Sequence, residues 1–137
     1  MQIDPRGPRF GAVITTVVLG VVLLLGPSGW PLLALQTLVF AAGAILGLQY
    51  QPYGMAYRAW VQPRLGPPTA TEDSRPPRFA QAVGLLFAAV GLLGALLGLD
   101  VLFYISVGLA FFAAFLNAAF DFCLGCEMYL RLKRVSG

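Results

Sequence analysis

Two cysteines stand three residues apart in Phe122-Cys123-Leu124-Gly125-Cys126-Glu127, and they are the only two in the chain. Thiols at this spacing can close on each other, share a soft metal, or exchange with a partner thiol. On a helix, residues i and i+3 lie on one face, so the two side chains are neighbours. The inert alternative is a pair of buried fillers, because cysteine packs well as a small apolar residue. The chain contains no histidine. That excludes a Cys–His nucleophile, an imidazole proton shuttle and His-ligated haem or zinc. Two cysteines are also too few for a four-cysteine zinc site or an iron–sulfur cluster within one chain, so no cofactor and no resident metal is expected. Asp121 precedes the pair and is the one acidic residue inside an apolar stretch. It is a candidate proton acceptor or charge partner for the thiols, or an interfacial carboxylate paired with an arginine. On a continuous helix Asp121 and Cys123 do not face each other; a break around Gly125 would be needed to bring them together.

The elements that must position these residues are apolar. Of 137 residues 58% are hydrophobic and 11% charged, against about 25% charged in an ordinary soluble domain. Long charge-free runs at 10–26, 31–48, 79–97 and 101–122 each approach the ~20 residues that cross a bilayer. The expected fold is an all-α membrane protein, one transmembrane domain over 1–137 with four transmembrane helices. Tight turns at Gly26–Trp30 and Gly98–Asp100 make two antiparallel hairpins. The first span lacks a small-x-small cleavage site and reads as retained rather than as a signal peptide. Arg6, Arg9, Arg58, Arg64, Arg75, Arg78, Arg131, Lys133 and Arg134 are the nine basic residues, and neither hairpin turn holds one. The positive-inside rule then puts both termini and the central loop in the cytoplasm. The expectation is a multi-pass bacterial inner-membrane protein, with the lipid bilayer as its first partner. The same topology, rather than nucleic acid, accounts for a pI near 9.2.

In the central loop, residues 52–61 carry Tyr53, Tyr57 and Trp60 at helical spacing, which suits an interfacial segment or a plain aromatic belt. Residues 63–77 hold five prolines and read as an extended linker.

The motif D-x-R-x-P-R-F occurs twice, as Asp4–Phe10 and as Asp73–Phe79. The chain therefore reads as two tandem two-helix repeats (2+2) related by a parallel pseudo-two-fold. Aligning Met55 with Met128 sets Tyr53 opposite Cys126, so the thiols occur in one copy alone. Arg6, Arg9, Arg75 and Arg78 are topology anchors that meet lipid head groups, or a paired site for an anion. Small residues at Ala80, Gly84, Ala88, Gly91, Ala95 and Gly98 share a face of the third span, suited to close packing. Ser106, Ala110, Ala113, Asn117 and Asp121 share a face of the fourth, and Asn117 is a candidate binding residue that points into the bundle.

The patterns Asp4–Phe10, Pro52–Gly54, Pro63–Pro68, Asp73–Gln81 and Leu116–Leu130, spread over nearly the whole chain, are similar to the bacterial membrane family called domain of unknown function 4395. That family has no assigned activity. The resemblance implies neighbours of thioredoxin-like or rhodanese-like type, and hence thiol or sulfur chemistry. Asp121 falls at a variable position of the pattern, so the resemblance gives it no role.

Three functions are open at this stage. In the first, Cys123 and Cys126 form a cytoplasmic-face redox pair that handles thiol–disulfide or sulfur-transfer chemistry with a cytoplasmic partner. In that reducing compartment a permanent structural disulfide is not expected. In the second, the chain is a non-enzymatic scaffold subunit or homo-oligomer that offers its small-residue faces to other helices. In the third, the dithiol carries a soft metal.

Overall fold

A computed structural model describes residues 2–4, 6–67, 71–73 and 75–136. Positions 68–70 and 74, part of the proline-rich linker, and Pro5 of the first motif lie outside the described residues. The chain is helical almost throughout. The exception is an antiparallel pair between β1 (Gln2–Ile3) and β2 (Glu72–Asp73).

Among the described residues three helices are long and apolar enough to cross a membrane: Arg6–Leu46, Arg75–Leu97 and Asp100–Phe120. The sequence predicts four. The difference arises at Gly26–Gly29, expected as a loop, which instead winds as a 3-10 turn. It joins α1 (Arg6–Leu25) to α2 (Trp30–Ala41) with no extended loop between them, and a π turn at Ala42–Leu46 extends the run. The joined element is not straight. At 1.5 Å per residue, Thr15 and Gln36 would stand about 30 Å apart on one axis, yet Gln36 Nε2 donates to Thr15 Oγ1 at 3.4 Å. The chain doubles back through Gly26, whose φ of +73° suits glycine above other residues. The other two long helices, α5 (Arg75–Leu97) and α6 (Asp100–Phe120), turn in the same way through Gly98 at φ +76°.

α1 lies against α6, and α5 lies against both α2 and α6. Their shared core holds Leu19, Val22, Leu33, Phe40, Ala88, Phe103 and Val107. The small-residue face of α5 is what lets the helices meet. A Cβ on Gly84 would stand 2.7 Å from the Phe40 ring, and one on Gly94 2.8 Å from the Phe103 backbone nitrogen. That face, offered to a partner in the scaffold reading, is filled from within. The outward faces carry Val13, Val17 and Leu24 on α1, Leu86 and Leu93 on α5, and Ile105 and Phe112 on α6, all exposed. Such a surface is unfavourable in water and matches lipid, where every helical backbone group is already satisfied internally.

Between α2 and β2 the chain builds a short broken helix: α3 (Pro52–Ala56), a π turn at Tyr57–Val61, and α4 (Gln62–Leu65). Of its three aromatics, only Trp60 points outward, at 71% exposed. Tyr57 is buried and donates to Asp4 Oδ2 at 2.8 Å, while Tyr53 donates to Gln36 Oε1 at 2.6 Å. Two of the three residues expected at the lipid interface therefore fasten the segment to the bundle. The reason is the polar tip of tyrosine, which finds a buried acceptor when one is present.

Asp4 is the centre of that attachment. It accepts from Arg6 and Tyr57, and from Gln62 Nε2 at 3.2 Å, and its side chain is only 7% exposed. Burial alone would raise the Asp4 carboxyl, but the hydrogen bonds from Arg6 and Tyr57 outweigh it and hold its pKa at about 2. Asp73 is likewise held at about 2, by the Arg75 side chain first. A carboxyl depressed on folding stabilises the protein above its unfolded value of ~3.9, and that contribution disappears as pH falls through the folded value. Thermal melts in detergent are expected to show stability falling between about pH 4 and pH 2. Asp4→Asn should cost about 1–3 kcal/mol at neutral pH by leaving Tyr57 and Arg6 under-satisfied, with a flatter acid limb.

Candidate functional site

The fourth apolar stretch ends sooner than a continuous helix would. Asp121 adopts φ 55°, ψ 33°, a left-handed conformation that stops α6. Its N–H and that of Phe122 fold back onto the carbonyls of Asn117 and Leu116. Aspartate is among the few non-glycine residues that enter this region readily. The break falls at residues 121–123, not at Gly125. A new helix, α7, runs from Leu124 to Ser136.

Cys123 is therefore the residue that opens α7. The backbone N–H of Cys126 donates to Cys123 Sγ at 3.1 Å, so the sulfur does what a side-chain oxygen does at an ordinary helix start. Cys123 and Cys126 are joined as a disulfide, with Cα atoms 5.2 Å apart. Both are half-buried. A closed pair is one of the states that the spacing of the thiols allows. It brings the thiols together as the spacing predicted, but at a helix terminus instead of along a continuous helix face.

α7 is carried by α5. Gly125 sits so close to it that an added Cβ would lie 2.6 Å from both Cα and Cβ of Ala80. The glycine in Cys-Leu-Gly-Cys is thus a packing residue, and it presses the start of α7 onto α5. Phe79 and Tyr129, whose rings are 5.6 Å apart, fasten the next turn.

The disulfide opens onto a cleft of about 650 Å³ between α1, α5, α6 and α7. Asn117 and Asp121 line the same cleft, so four of the residues singled out in the sequence share one cavity. The four motif arginines do not line it. Arg6 pairs with Asp4 at 2.9 Å and Arg75 with Asp73 at 2.6 Å. Arg9 Nε donates to the carbonyl of Ala118 at 3.2 Å, and Arg78 donates to the carbonyls of Ala44 and Ile45 at 2.9 and 2.8 Å. Each of the latter two covers the orphan carbonyls at the end of a helix in the other half of the chain. Among the described residues no group of three or more His, Cys, Asp or Glu is arranged to hold a metal.

Sequence reasoning missed a set of buried polar residues. Gln36 is wholly buried and links Tyr53 to Thr15, and Thr15 lines the cleft. Gln51 donates to Gln81 Oε1, and Gln81 also lines the cleft. The available signal was a lone glutamine in the second and in the third apolar run, Gln36 and Gln81, which hydrocarbon would not tolerate unpaired.

A family model described as Domain of unknown function (DUF4395) matches residues 3–134. The chain belongs to that family. No curated protein and no solved structure matches it.

Gly125→Ala should push α7 off α5 and cost about 1–3 kcal/mol, the usual range for overpacking a close contact. Maleimide labelling of the reduced protein should then speed up at both cysteines, because the helix that carries them no longer lies against α5. Asp121→Gly should leave the melting temperature unchanged or slightly raised, because glycine takes the left-handed conformation without strain. A large loss with Asp121→Gly would mean that the carboxylate, not the backbone, matters there.

Proposed function

We propose that this DUF4395 member is a multi-pass protein of the bacterial inner membrane whose Cys123–Cys126 pair exchanges thiols with a thioredoxin-like or rhodanese-like partner. The observation that carries this reading is the cap at the head of α7. A sulfur placed at a helix N-terminus, accepting a backbone N–H, is stabilised as thiolate by the helix dipole. Thiolate is the form that attacks a disulfide. Cys123 has this environment and Cys126, one turn further in, does not. Exchange then runs through a mixed disulfide on Cys123, and Cys126 resolves it by attacking the Cys123 sulfur, closing the pair and releasing the partner thiol. The steps are reversible, so a reduced partner can equally open the pair.

The membrane arrangement proposed with it has four passes, from the doubling back of Arg6–Leu46 together with α5 and α6, with both termini cytoplasmic. It consists of two related two-helix units. Several contacts support the two-unit reading. Ile3 pairs with Glu72, 69 positions later, the same offset that separates Asp4 from Asp73. An antiparallel pair between equivalent residues has a two-fold axis of its own. Phe10 meets Tyr57 at 5.6 Å as Phe79 meets Tyr129 at 5.6 Å. Gln51 caps α3 by accepting from the Gly54 N–H, as Cys123 caps α7 by accepting from Cys126. This geometry aligns Gly54, rather than Tyr53, with Cys126.

The test is trapping in intact cells. Cys126→Ser is expected to accumulate a mixed-disulfide species that disappears on reduction, and Cys123→Ser is expected to accumulate none. If neither single variant captures a partner and the double variant behaves as wild type, the thiol reading is wrong.

A further inference from the structure

The cleft beside the disulfide is larger than a thiol-exchange site needs, and its walls show what it takes. At about 650 Å³ it lies within the ~300–1,000 Å³ of sites that hold a whole small molecule. Its apolar wall includes Phe40, Phe87, Leu109 and Ala113, side chains of helices apolar enough to cross a membrane, and Leu109 is exposed on their outer surface. Its charged lining residues are Asp73, Asp121 and Glu127, all acidic, and no basic side chain lines it. Such a cavity repels sulfur oxyanions, persulfide anions and other anionic substrates and admits a neutral, lipophilic one from the bilayer.

At the mouth stands a pair that, once reduced, has two electrons and two protons to give. We infer that the cleft binds a membrane-borne quinone that oxidises the reduced Cys123–Cys126 pair. This rests on the thiol-exchange reading and supplies its electron acceptor. In the step, the two S–H bonds break and one S–S bond forms. The two electrons and two protons pass to the quinone, whose two carbonyl oxygens become hydroxyls as the ring turns aromatic. Thiols are oxidised, quinone is reduced to quinol, and no other reactant is required. A partner dithiol then reopens the disulfide and the cycle repeats. Thr15, Gln81 and Asn117 are the uncharged polar side chains along the wall where a quinone carbonyl would seek hydrogen bonds.

The test uses the full chain in detergent, reduced and freed of reductant, with decylubiquinone as probe. Its fully substituted ring does not add thiols. Quinone loss is read by ultraviolet absorbance and thiol loss by maleimide labelling. The expected result is one quinol per disulfide, with a rate that saturates in quinone. Ala113→Phe, which fills the cleft away from the cysteines, should slow this by about tenfold or more. It should leave oxidation by the water-soluble oxidant diamide unchanged. Ala114→Leu serves as a milder second filling, with the melting temperature checking that each variant is folded.

Three results overturn the inference. Diamide closes the pair while decylubiquinone does not; the rate is linear in quinone with no saturation; or both folded filled variants react as fast as wild type. In each of these the thiol-exchange reading stands. A pair that is inert to diamide and traps no partner removes that reading as well.

Discussion

The thinness of α5 is the constraint on which the rest depends. This helix touches α2, α6 and α7, and the closest approach at each contact is made where it carries only glycine or alanine. Gly84 makes room for the Phe40 ring, Gly94 for the backbone of α6, and Ala80 for the backbone of α7 at Gly125. Without a hydrophobic drive between helices in lipid, close van der Waals contact is the main attraction available. A bulky residue on this face would push α2 or α6 away from α5, and one at Ala80 would lift the cysteine-bearing helix from its support. The candidate site is thus held in place from below, by what α5 lacks.

Helix ends form the second layer of organisation. A helix terminus leaves four carbonyls without partners, and in a membrane interface water meets that need only in part. Here Arg9 reaches the end of α6 and Arg78 reaches the π turn that ends the α2 run. Each arginine begins one half of the chain and completes the other. The aspartates of the same motif hold Arg6 and Arg75. The motif therefore also serves as internal fastening: two of its arginines are ion-paired and two donate to the carbonyls of helix ends.

Much of this was legible in the sequence. Apolar runs marked the long helices, and the glycines at 26 and 98 marked the reversals. The i, i+3 spacing brought the cysteines together, and the small-residue face of α5 was visible as a four-and-three rhythm. What was not legible has physical reasons. The turn at Gly26–Gly29 reads as a loop because glycine and proline are turn formers; that the chain winds as a 3-10 turn straight after the left-handed Gly26 is a matter of local dihedral angles that composition does not encode. The break at Asp121 was hidden because aspartate is more often helical than left-handed. Tyr53 and Tyr57 read as interfacial because periodicity reports a face and not what waits beneath it; only the fold shows Gln36 and Asp4 there. The buried glutamines were lost among apolar neighbours for the same reason.

The cap at the head of α7 has a consequence for how reactivity could arise in such a scaffold. Gln51 and Cys123 perform the same task, each closing the first turn of a helix that follows a long apolar one. The task requires only an acceptor atom of the right reach. Once a backbone has such a position, any side chain that fills it inherits the electrostatic field of the helix without further adjustment. An amide placed there is inert and a sulfur placed there is activated. On the two-unit reading and the proposed thiol exchange, the two copies differ at this joint by one side chain, an amide in one and a sulfur in the other, and the difference in chemistry follows from that atom alone.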